Sequence, residues 1–286
     1  MPIFKNDVLR GVFILSSLLC FSCTREKPAF EETPSDSIPT SNYTFNQLNL
    51  TSPPFGGTIF VSGDIITSND PSLFVSLTYN GTGPRTMYDR RNGGGWVTLN
   101  PHLFPTTFSD NLTIEIQINP EFDLEEATIE ANKYAFLVGQ LPKELRKDVE
   151  TMWIHKGEEA YGGGNNNILI HTEMTTVYEN YDSGIVEETL LHEAAHTSID
   201  AYYYPGNLSN GEAWITAVEK DGNYISTYAR DNPYREDIAE LFPLYIAVKY
   251  FPDRITPSVR DQVLSVSLNR ILFFDTQNFD FAIYEE

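Results

Sequence analysis

The run Leu191-His192-Glu193-Ala194-Ala195-His196 places two imidazoles four residues apart. On a helix they share one face, and together they can bind one zinc ion at about 2.0–2.1 Å each. Glu193 borders that face, where its carboxylate can take a proton from a water polarised by the metal. Ala194 and Ala195 are small helix formers, suited to a helix packed closely under a sheet. The chemistry such a group performs is hydrolysis.

A zinc site of this kind needs a third protein ligand and an open fourth position. A third histidine at the metzincin spacing would fall at position 202, which is Tyr202, and the glycine of that pattern at Ile199. A thiol ligand is excluded, because the two cysteines, Cys20 and Cys23, lie at the N-terminus. An acidic ligand from a downstream helix remains, and Glu212, Glu236 and Glu240 are the candidates. Glu212 follows Asn210-Gly211 and is the reserve choice, since a glutamate at a helix start is commonly favoured by the dipole alone.

Tyr228-Ala229-Arg230-Asp231-Asn232 followed by Glu236-Asp237-Ile238-Ala239-Glu240 resembles the second half of gluzincin sites. The nearest likeness is to the anthrax lethal factor-like catalytic domain, where an HExxH helix is followed by a tyrosine and a Glu-x-x-Ala-Glu helix. The likeness is one of motifs, across roughly residues 112 to 250, with one extra residue between Asn232 and Glu236. It implies His192, His196 and Glu236 as zinc ligands, Glu193 as general base and Tyr228 as a hydrogen-bond donor in the transition state. It implies that Glu240 orients a ligand histidine. Asp200, four residues after His196, matches an acidic position of thermolysin-like enzymes. The resemblance also implies a substrate-binding edge strand just before the motif helix, a part that Ile168–His171 can fill.

The elements that must position these residues read as α+β. The expectation is a zincin-like catalytic domain over residues 111–286, a small mixed sheet over the HExxH helix. Strands are predicted at Leu112–Ile118, Thr151–His155 and Ile168–His171. A capped helix starts at Asp123 with Glu126 three residues on, and ends at Gly139. The motif helix spans roughly Gly184 to Ala201, a further helix Tyr234 to Tyr250 with Pro243 inside or at a kink, and a last one Leu264–Phe274. Gly162–Asn167 lacks the lysine and following helix of a phosphate loop and reads as a flexible hairpin turn. His155 and His171 end strands and are assigned to structure. Residues 50–110 are punctuated by Gly and Asn-Gly signals and read as a β-rich region, a small domain or an extension.

The first 22 residues read as a signal. Lys5 and Arg10 precede the apolar run Gly11–Phe21, too short for the roughly 20 residues of a membrane span. Cys20-Phe21-Ser22-Cys23 resembles a bacterial lipobox, which implies lipidation at Cys23, a membrane anchor and a place in the cell envelope, as an outer-membrane lipoprotein or a secreted protein. Residues 23–49, rich in Pro, Ser and Thr, read as a flexible tether. The chain of 286 residues carries 19 basic and 40 acidic side chains, a net charge of −21. Such a surface repels phosphate backbones, so no nucleic-acid partner is expected. The expected partner is a peptide or protein substrate, and the expected cofactor is Zn2+. The competing reading is a surface lipoprotein that keeps the fold and binds a protein or glycan without cleaving it.

Overall fold

The computed structural model describes residues 43–58, 64–181, 184–200 and 207–285. The signal, Cys23 and Tyr202 lie outside the described residues. The first half of the chain provides β1 (Phe74–Leu77), β2 (Arg85–Asp89), β3 (Gly95–Leu99), β4 (His102–Phe108), β5 (Thr113–Ile118), α1 (Leu124–Gly139) and α2 (Lys143–Arg146). The second half provides β6 (Thr151–His155), β7 (Gly162–Gly164), β8 (Asn167–His171), α3 (Thr172–Tyr181), α4 (Ile185–Ala195), α5 (Glu212–Asp221), α6 (Thr227–Asp231), α7 (Asp237–Tyr250) and α8 (Pro257–Thr276). The architecture is mixed, with eight α-helices and a mixed sheet among the described residues. None of these helices is long and apolar enough to cross a membrane.

Six strands form one sheet in the order β1-β4-β5-β6-β8-β7. β5, β6 and β8 are parallel, β4 and β1 continue antiparallel on one side, and β7 is antiparallel on the other. The boundary drawn at residue 110 therefore cuts an antiparallel hairpin, with Thr107 opposite Thr113 and His102 opposite Ile118. The β-rich region is in part the edge of the same sheet, because the apolar faces of β4 and β5 need each other to cover one core. Residues 43–49 also differ from the expected tether. Tyr43 donates to Asp275 at 2.8 Å, Asn46 bonds both oxygens of Asp261, and the Leu48 N–H donates to Ser265 at 2.8 Å. The segment is a strap fastened along α8.

Successive residues of β6 and β8 face opposite sides of the sheet. Met152, Ile154, Ile168 and Ile170 join the main core with buried residues of α1, α4 and α7. Trp153 and Leu169 join a second, smaller cluster with Met87 of β2. The β2–β3 hairpin is a separate two-stranded sheet laid on that second face. α1 begins where its sequence predicts. Asp123 accepts from the Glu126 N–H, and the Glu126 side chain accepts from the Asp123 N–H. α3, which the sequence reading omits, follows β8 directly and buries little besides Thr175.

Candidate metal centre

The motif helix departs from regular α geometry at the site itself. α4 stops at Ala195, and His196–Asp200 forms one π turn, a local widening that often accompanies functional positions. His192 and His196 still share a face, with ring centroids 4.8 Å apart. The donor atoms of His192, Glu193 and His196 lie within 4.8 Å of one another, a group that can hold a metal ion.

Glu236 closes a triangle with the two histidines. The two Nε2 atoms are 3.1 Å apart, and Glu236 Oε2 is 3.1 Å from His196 Nε2 and 3.5 Å from His192 Nε2. Ligands at about 2.0–2.1 Å from one tetrahedral ion are roughly 3.3–3.4 Å from each other, so these atoms fit three corners of such a site. Glu236 precedes α7 as its N-cap, and the next residue anchors it. Asp237 is fully buried and accepts from Arg270 and from Trp214 Nε1. The extra residue after Asn232 is absorbed in a turn, where the Glu236 N–H donates to the Asn232 carbonyl at 2.9 Å.

Electrostatics favour a cation here. Burial alone would lower the His192 pKa, but the hydrogen bond to Glu236 and the charges of Glu193, Glu240 and Glu236 raise it to about 9. Burial would raise the Glu236 carboxyl, yet the two imidazoles hold it well below the usual range. Glu240, one turn along α7, places Oε1 at 3.6 Å from His192 Nδ1, on the far side of the ring from the triangle. The fully buried Ser226 donates to Glu240 Oε2 at 2.7 Å and accepts from the Ala229 N–H at 2.9 Å. It caps α6, the turn that carries Tyr228. The Tyr228 hydroxyl donates to Glu236 Oε1 at 3.1 Å from a partly exposed position.

Two site candidates fall elsewhere. Asp200 is buried, and its hydrogen bonds within the described residues come from the Ser209 N–H at 2.9 Å and Asn207 at 3.4 Å. It fastens the chain after the π turn, and no hydrogen bond reaches it from His192 or His196. Glu212 is exposed at the first residue of α5 and has no place in the cleft wall.

The histidines open into a cleft of about 840 Å³ walled by α4, β7 and the β2–β3 hairpin. The edge strand differs from the one expected. Ile168–His171 lies in β8, buried between β6 and β7, and the edge is the glycine run of β7. Gly162–Asn167 forms the expected hairpin, turned by Asn165 and Asn166 at φ 53° and 58°. Glycine is required at 163, because a Cβ there would stand 1.9 Å from the Glu193 carbonyl oxygen. Thr197 donates to the Asn167 carbonyl and accepts from the Gly164 N–H, each at 2.8 Å, and so pins β7 against the motif helix.

His155 and His171 are structural, as expected. Both are fully buried and stacked at 5.5 Å, with His155 bonded to Asn119 and the Tyr88 carbonyl, and His171 facing Asp89. Sequence reasoning missed the hairpin's contribution to the cleft through Tyr88, Arg90 and Trp96, and it missed Ser226. A tryptophan directly after Gly93-Gly94-Gly95 was the available signal. No family model, curated protein or solved structure matches this chain.

Proposed function

We propose that the protein is a zinc-dependent peptidase of the gluzincin type, with a zincin-like fold, exported and anchored by lipid at Cys23. The observation that carries this reading is the Nε2–Nε2–Oε2 triangle of His192, His196 and Glu236, with Glu193 and Tyr228 lining the same cleft. A zinc ion held there would supply Lewis acidity and lower the pKa of water in its fourth position. Glu193 accepts the proton of the attacking water on its carboxylate and returns it to the departing amine nitrogen. Tyr228 turns its O–H from Glu236 to the carbonyl oxygen of the scissile bond, where negative charge grows. Glu240 holds the His192 ring through Nδ1. The peptide is held extended along β7, since an edge strand offers backbone groups to a further strand. Retention of Glu193 beside the histidines favours catalysis over binding alone, because a site that only held metal would need the ligands and no base.

The test is metal analysis of the purified soluble part together with digestion of a peptide library by wild type and Glu193→Gln. About one zinc per chain and cleavage lost in the variant are expected. Cleavage that survives in Glu193→Gln, or a chain that binds no zinc, would overturn the proposal.

A further inference from the structure

The β2–β3 hairpin leaves Trp96 58% exposed inside the cleft. A tryptophan can bury about 150–250 Å², so this exposure forgoes stabilisation that a ligand can recover. The ring is packed on one side. It stands edge-on to Trp153 at 5.4 Å and to Tyr88 at 5.4 Å. Tyr88 is itself fixed across the hairpin tip, where a side chain at Gly94 would meet its hydroxyl at 2.5 Å. Behind these rings lie Leu169 and Met87.

The edge strand in front has no side chains. A Cβ at Gly163 would point into the motif helix, whereas one at Gly162 would point to the hairpin and meet Arg90 Nη2 at 2.7 Å. Gly164 follows the same alternation as Gly162, and a Cβ there meets nothing within 4 Å. A peptide paired along β7 would therefore send alternate side chains into open space bordered by Trp96, Tyr88 and Arg90.

We propose that this space is a subsite for an aromatic side chain of the substrate. The inference rests on the peptidase reading of the cleft and names its substrate class. Aromatic rings pack edge-to-face on tryptophan and tyrosine, and a guanidinium stacks on their faces. A sugar would need several polar partners, and the hairpin side chains bordering this space offer two, the Tyr88 hydroxyl and the Arg90 guanidinium. Arg91 is bonded to Asp89 and Glu121, and Arg90 donates to the Ala160 carbonyl.

The experiment compares two peptides of one sequence, with Phe or Ala at the position the library selects. It reads kcat/KM in wild type, Trp96→Ala and Trp96→Phe, and Kd in the Glu193→Gln protein with and without the same Trp96 changes. The Phe-to-Ala ratio is expected to fall about tenfold or more in Trp96→Ala and to be largely restored in Trp96→Phe. Binding by Glu193→Gln should show the same dependence. If that binding holds while wild type cleaves nothing, the peptidase reading fails and the subsite stands. If wild type cleaves with no aromatic preference, or the ratio is unchanged in a folded Trp96→Ala, the subsite is overturned. A Trp96-dependent oligosaccharide affinity with an unchanged peptide ratio overturns it as well.

Discussion

Ser226 donates its hydroxyl to Glu240 across 2.7 Å, and the same oxygen receives the Ala229 N–H that starts the turn bearing Tyr228. One buried oxygen thus links the residue behind His192 to the residue expected to meet the oxyanion. Ser226→Ala should weaken zinc affinity by about 10–100-fold. It should also lose about 1 kcal/mol of stability with the helix cap. Zinc titration and thermal melting of the metal-free protein separate the two effects, and Ser226→Thr should restore much of both.

The third ligand is tested by comparing two glutamates. Glu236→Ala should lose zinc, as should His192→Ala and His196→Ala, whereas Glu212→Ala should retain a full complement, because Glu212 is an exposed residue at a helix start. Metal content of the four variants decides this. Zinc lost from Glu212→Ala would place the third ligand on α5.

Tyr228→Phe should keep zinc and the fold while kcat falls about 10²–10³-fold, the usual effect of removing one preorganised donor. KM should change less, because the donor acts mainly in the transition state. A near-normal kcat with zinc in place would remove Tyr228 from the mechanism.

Gly163→Ala forces a methyl group to within 1.9 Å of the Glu193 carbonyl oxygen unless β7 retreats. The obstacle is backbone, so no side-chain rotation relieves it. A loss of about 1–3 kcal/mol is expected, with a raised KM for peptides as the edge strand shifts. Chemical denaturation and steady-state kinetics measure the two.

Acid should destabilise the fold through the buried histidine pair. Burial lowers the His155 pKa to about 4 and lowers that of His171 as well. An unfolded histidine takes its proton near pH 6.5, so between pH 6.5 and 4 the unfolded chain binds more protons than the folded one. Stability then falls with pH across that window, by up to about 3 kcal/mol for His155. Asp89 adds a further loss below its unfolded pKa. Burial would raise its carboxyl, but the hydrogen bonds from Arg91 and the charge of His155 hold it well below the usual range. Melting temperature should drop below about pH 6.5, with a shallower slope in His155→Gln.

The histidine pair and Glu193 were legible because helical periodicity alone puts positions 192 and 196 on one face. Glu236 was one of three acidic candidates downstream, and only the resemblance singled it out. Its position depends on Arg270 and Trp214 gripping Asp237, and nothing local in the sequence announces those contacts. The edge strand was misplaced for a related reason. β8 is apolar and reads as a strand, whereas Gly162–Gly164 has low β propensity, and of its three glycines Gly163 alone faces α4, which leaves no room there for a side chain. The boundary at residue 110 falls inside the β4–β5 hairpin, because a composition change marks turns and tips and cannot show that the two strands pair.

The strap of residues 43–58 sets an order of events. Tyr43 and Asn46 find partners 232 and 215 residues later in the chain, and Phe55 bridges to Ser226 beside the turn of Tyr228. During synthesis these early residues have nothing to hold until α8 has been made, so the strap must close among the last steps of folding. Contacts so distant in sequence form slowly. A nascent or truncated chain can therefore carry His192, Glu193 and His196 and still lack the clasp over Tyr228. The proposed hydrolysis, on this account, waits until residues 43–58 have met α8 and the turn of Tyr228.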